Sequence, residues 1–168
     1  MQIIDDFLRK TLFESGWQEN RSIDLKKYQM WYSRFGFSPS DIIYDFLKSF
    51  GGLTLKIPCK RYQNRTTSNQ DSDLTTSFVI DPIFYMTDDF TEGDMIEACE
   101  YLTDIASFLN VKELFPIGYT NVSEEIFMSI TGEVVLAYEG DCILLGGSFE
   151  EALIRIMTDE NIDMENIW

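Results

Sequence analysis

Residues 46–58 read FLKSFGGLTLKIP, and the order of their parts decides between two folds. A phosphate-binding loop follows a strand and opens a helix, because the helix N-terminus carries the positive end of the dipole. Here Phe46, Leu47 and Phe50 continue a helical stripe up to Gly51-Gly52, and the alternation Leu53, Leu55, Ile57 begins after it. The glycine pair therefore sits at the negative end of a helix. It predicts a positive-φ corner that turns the chain into a sheet, not a nucleotide cradle. Neither GK[ST] nor GxGxxG occurs anywhere in the chain. The second pair, Gly146-Gly147, does precede a helix, but Glu150 and Glu151 in that helix's first turn disfavour an anion.

Upstream of the corner the pattern is helical. Ile4, Phe7, Leu8 and Leu12 form one stripe that ends at Gly16. Leu25, Tyr28, Trp31, Tyr32 and Phe35 form a second, stopped by Gly36. Ser38 as N-cap, Pro39 at the first helical position and Asp41 at the third predict a helix over 39–50, with Ile42, Ile43, Phe46, Leu47 and Phe50 on a wide apolar face.

Downstream, 59–76 (CKRYQNRTTSNQDSDLTT) is polar and aperiodic and predicts a long loop between two strands, the second in SFVIDP. TEGDMIEACEYLTDIASFLN (91–110) predicts a helix with Met95 or Ile96, Cys99, Leu102, Ile105, Ala106 and Leu109 inward. Then LFPIGY and EIFMSITGEVVLAYEGDCILLGGS read as short strands with tight turns at Thr131-Gly132 and Gly140-Asp141. A last short helix starts at Ser148, with Glu151 completing a capping box, and residues 159–168 form an acidic tail. This order predicts a single α+β domain over 1–168, with helices packed on a mostly antiparallel sheet. The 45% apolar and 14% aromatic content is enough for a sizeable core.

Several chemistries are excluded or disfavoured. The chain has no histidine, which removes the commonest general base, the usual zinc ligand and every Ser-His or Cys-His nucleophile. Cys59, Cys99 and Cys142 are odd in number and have no CxxC spacing, so they read as reduced thiols, with Cys99 and Cys142 as small core residues. Residues 69–80 imitate a calcium loop for three positions, then place Leu74 where glycine belongs and Ile80 where the closing glutamate belongs. Glu124 and Glu125 are adjacent in a strand and point to opposite faces, and Glu150-Glu151 suit a helix start, so no carboxylate dyad emerges. No catalytic, cofactor or metal residue is assigned.

Charge is distributed unevenly. Thirteen Lys and Arg oppose 29 Asp and Glu, a net charge of −16. Residues 1–65 carry 11 bases and 7 acids, whereas 66–168 carry only Lys112 and Arg155 against 22 acids. Such a field repels nucleic acid and anionic lipid and attracts basic partners over about a Debye length, ~8–10 Å. The opening MQIIDDFLRK lacks the apolar core of a signal peptide, and no run approaches the roughly 18 apolar residues of a membrane span. The expectation is a cytoplasmic protein, monomeric or weakly oligomeric.

Taken in order, WQENRSI (17–23), FLKSFGGL (46–53), FVIDP (78–82), LFPIGY (114–119), ITGEVV (130–135) and LLGGSFEEAL (144–153) resemble the SUKH superfamily, specifically its third branch of bacterial immunity proteins. The resemblance covers about residues 17–158. It implies an α+β fold with a curved sheet, no enzymatic activity, no cofactor, and binding that neutralises a polymorphic toxin, often a nuclease. The alternative it leaves open is a regulatory scaffold module, like the fungal cell-wall-synthesis regulators, binding an endogenous partner. The loop 59–77 departs from the family by its length and polarity. Trp17, Arg21, Gly51, Gly52, Asp81, Pro116, Gly118, Gly132 and Gly146, which carry the motifs, read as turn and core positions.

The binding surface is therefore expected elsewhere. An acidic surface can occupy the cationic substrate site of a nuclease as a phosphate decoy. Asp88, Asp89, Glu92, Asp94, Glu97 and Glu100, with Glu139 and Asp141, are the candidate contacts. Tyr85 and Phe90 are the candidate aromatic anchors.

Overall fold

The computed structural model describes residues 6–58, 75–86, 89–158, 162 and 164–167. Its helices are α1 (Asp6–Glu14), α2 (Lys26–Arg34), α3 (Asp41–Phe50), α4 (Glu92–Phe108) and α5 (Phe149–Thr158), with a 3-10 turn at Pro82–Phe84. The strands are β1 (Thr54–Pro58), β2 (Thr75–Val79), β3 (Leu114–Thr120), β4 (Glu125–Ser129), β5 (Val134–Tyr138), β6 (Asp141–Gly146) and β7 (Glu165–Asn166). All pair antiparallel, in sequence order, as one open seven-stranded sheet. Helix α5 packs on both β6 and β1, so the sheet curves around it. The expected α+β domain, with a curved antiparallel sheet, is present.

Helices cover both sheet faces, and the pleat explains why. Ile126, Met128, Val134 and Leu136 point to one face, where α1, α2, α3 and α5 supply Leu12, Tyr32, Phe50 and Leu153 to the main core. The alternate residues Phe127, Val135 and Ala137 point to the other face, under Leu102, Ile105 and Ala106 of α4. Strands buried on two sides read as continuous apolar runs, as IFM and VVLA do. By contrast β1 alternates buried and exposed residues, as its sequence predicts.

The glycine corner divides its labour. Gly52 alone takes positive φ, at 77°, while Gly51 is in an ordinary extended conformation (φ −54°, ψ 138°). Gly51 is needed for another reason: a Cβ there would lie 2.6 Å from the Leu47 carbonyl oxygen and 2.7 Å from the Tyr28 ring. The expectation of one shared role for the pair is corrected accordingly. Gly118 is a second close approach, since its Cβ would meet the Val79 carbonyl oxygen of β2 at 2.0 Å. Pro116, which has no N–H to pair, sits at the bulge between Pro116 and Gly118, where a central strand tolerates it.

Other boundaries shift by a residue or two. Helix α3 begins at Asp41 with Ser40 as its extended N-cap residue (ψ 168°), not at Ser38-Pro39, because Ile43 and Tyr44 N–H bond to the Ser40 carbonyl. The β5–β6 turn is Glu139-Gly140, both at positive φ, and Asp141 already pairs with Tyr138. Phe7 and Ile42 are exposed rather than part of their inward stripes. Ile4 and most of the expected loop 59–76 lie outside the described residues. At the C-terminal end, Glu165 and Asn166 add the short edge strand β7, which the acidic composition of the tail does not announce. Ser148 Oγ accepts from Glu151 N–H at 3.2 Å, but the Glu151 carboxylate accepts from Gly147 N–H at 2.9 Å, one residue before the expected box partner.

Candidate functional site

Helix α4 carries most of the candidate residues. Its 17 residues, EGDMIEACEYLTDIASF, contain five acids and no base. Thr91 caps it through a reciprocal box: the Thr91 hydroxyl accepts from Asp94 N–H at 3.2 Å, and the Asp94 carboxylate accepts from Thr91 N–H at 2.7 Å. These bonds to Thr91 hold the Asp94 carboxyl below its ordinary value. Asp94 thus fastens the helix start. Glu92, Glu97, Glu100 and Asp104 are exposed along the rest of the helix.

Residues chosen from sequence take different positions. Asp88 lies outside the described residues, and Asp89 is exposed in the turn before α4. Tyr85 is set edge-on against Phe127 at 5.4 Å, with burial pushing its hydroxyl well up, and Phe90 is half-buried against the main core. The exposed aromatic of this segment is Phe84, stacked on Tyr119 at 3.9 Å. Cys142 is buried as expected, but Cys99 is exposed, because it lies on the flank of α4 rather than on the stripe of Leu102, Ile105 and Ala106.

The fold brings Glu139 and Asp141 beside α4. Tyr101 of α4 packs half-buried on the second core cluster, near Glu125 and the β5–β6 turn at Gly140. Burial raises the Glu125 carboxyl to about 7, partly offset by the Tyr101 hydroxyl. Tyr101 thus joins that flank of α4 to the strands. Asp141 also accepts from the Asn166 side-chain amide at 2.7 Å, holding β7.

The opposite flank of α4 is open. A groove of about 710 Å³ runs between it and the end of α2, lined by Arg34 and Phe35 on one side and by Glu92, Ile96, Glu100 and Asp104 on the other. Sequence reasoning missed Asp104, Arg34 and Phe35. Asp104 was legible, since it continues the spacing of Glu97 and Glu100, but α2's share was not, because 58 residues separate Arg34 from Glu92. Ile96, which the sequence offered with Met95 as an inward residue, is instead 54% exposed, and Met95 is the half-buried one.

Among the described residues, no helix is long and apolar enough to cross a membrane, and no group of three His, Cys, Asp or Glu side chains could hold a metal ion. No curated protein and no solved structure matches the chain. The family model described as SUKH-3 immunity protein matches residues 5–159, reaching further toward the N-terminus than the motifs from Trp17 onward. That match spans nearly the whole chain and takes in every helix and the sheet from β1 to β6, so this chain belongs to the SUKH-3 immunity protein family.

Proposed function

We propose that this immunity protein neutralises a nuclease toxin domain by covering its cationic substrate site with the acidic outer surface of α4 and the neighbouring Glu139–Asp141 turn. The observation that carries this is the composition of α4, five acids and no base, with Glu92, Glu97, Glu100 and Asp104 all exposed. Carboxylates in a row can stand where substrate phosphates would, and the wider field of residues 66–168 steers a basic partner toward them. The protein acts by binding, in the cytoplasm, with no catalytic step, cofactor or nucleic-acid contact of its own.

The test first seeks a toxin domain in the gene neighbouring this chain's own, then measures affinity and nuclease inhibition at low and high salt. Glu97→Lys with Glu100→Lys should slow association about 10-fold at low salt and flatten the salt dependence. Unchanged affinity and unchanged salt slope would sink the acidic-surface reading. Asp94 is a poor choice for such a test, because its loss also frays α4.

A further inference from the structure

We propose that the partner anchors in the groove between the end of α2 and α4, seating a large apolar side chain on Ile96, Met95 and Phe35 and a lysine or arginine among Glu92, Glu100 and Asp104. The inference rests on the acidic-surface reading above and narrows it to one flank of α4.

The two flanks differ in what they offer a partner. Toward the β5–β6 turn, half-buried Tyr101 packs from α4 onto the second core cluster of Phe127, Val135, Ala137 and Cys142. Toward α2 the groove of about 710 Å³ is open, and a recess of about 320 Å³ continues it past Gly36, Cys99 and Thr103 to Glu113. Interfaces gain most of their energy where an apolar anchor fills a pocket and a polar rim excludes water. Ile96, 54% exposed beside half-buried Met95, provides such a floor.

Charge identifies the occupant's chemistry. The groove and its recess carry Glu92, Glu100, Asp104 and Glu113 against Arg34. None of those four acids belongs to the ion pairs seen among the described residues, which include Arg9–Glu19, Lys10–Glu14 and Lys27–Asp81. A side chain that buries an aliphatic stem and presents a cation meets both requirements, so the occupant is a basic segment with an adjoining apolar residue. An acidic or wholly apolar segment would leave the rim carboxylates desolvated without partners.

The experiment uses the full chain and the toxin domain identified in the test above. Ile96→Arg, at an exposed position, should weaken binding on the order of 30-fold or more. Glu139→Lys with Asp141→Lys, in the β5–β6 turn away from the groove, should weaken binding less than Ile96→Arg does. In a Cys59→Ser background, the toxin should protect Cys99 from a maleimide, a readout that does not depend on how the Ile96 variant folds. If Ile96→Arg binds like the parent and Cys99 reacts at the same rate in the complex, the groove is overturned. A large loss in the Glu139/Asp141 variant would then leave the acidic-surface reading standing. Failure of the parent chain to bind the toxin domain overturns both.

Discussion

The Arg21 guanidinium donates to the Gly51 carbonyl oxygen at 2.9 Å and to the Ser49 carbonyl oxygen at 3.0 Å. These carbonyls belong to the end of α3, where the last turn has no intrahelical donors and the dipole favours a cation. Arg21 thus clamps the helix end at the corner where Gly52 N–H reaches the Ile80 carbonyl at 2.7 Å. Arg21→Ala should cost about 2–3 kcal/mol of unfolding free energy, since two part-buried carbonyls lose a charged donor. Arg21→Lys should recover only part of that, because an ammonium cannot fork to both oxygens. Urea unfolding of the three proteins checks the order; equal stability of the lysine and arginine forms would contradict it.

Gly51→Ala tests close approach separately from backbone strain. The dihedrals of Gly51 suit any residue, yet an added Cβ meets the Leu47 carbonyl and the Tyr28 ring. Overpacking of this kind costs about 1–3 kcal/mol. Gly52→Ala meets only ordinary contact, with Tyr28 Oη at 3.8 Å, and should lose about 1–2 kcal/mol through its positive φ alone. Crystal structures of both variants separate the causes: a displaced Tyr28 is expected for Gly51→Ala and an unmoved one for Gly52→Ala.

Glu125 makes stability depend on pH in a defined window. Its carboxyl titrates near 7 when folded, against 4.5 ordinarily, because burial beneath α4 disfavours the charge. Below about pH 4.5 it is protonated in both states. Between there and about 7 the unfolded chain releases the proton first, so stability falls as pH rises and levels off above 7. Glu125→Gln removes this dependence and should be the more stable form at pH 8, by on the order of 3 kcal/mol. Denaturant unfolding at pH 4.5 and pH 8 reads the difference; a variant that tracks the parent at both values would refute the assignment.

Thr91→Ala removes the cap of α4 and should lower stability by about 1 kcal/mol. Amide exchange should quicken in the first turn of α4 while the strands stay protected. An unchanged exchange rate at 92–95 would show that the box holds nothing.

Local chemistry made much of this protein legible in its sequence. The helix-glycine-strand order at 46–58, the short strands of 114–146 and the glycine turns each depend on neighbours a few residues apart. Charge segregation was equally readable, because it needs only counting. The misreadings came where a local pattern has two solutions. Cys99 looked inward until the fold set the rotation of α4, and the turn at Glu139-Gly140 differed from the expected pair by one residue.

What the tertiary structure decided depends on groups far apart in the chain. Tyr28 packs where a Gly51 side chain would be, Val79 approaches Gly118, and Arg34 faces Glu92 across the groove. Periodicity specifies which way a backbone segment faces, but not which distant segment arrives there. The sequence by itself determined helices α1 to α5, strands β1 to β6 and the sign of the field. Packing on both faces of the sheet decided the rotation of α4, so that Tyr101 packs on the strands while Ile96 and Glu100 line a groove with the end of α2.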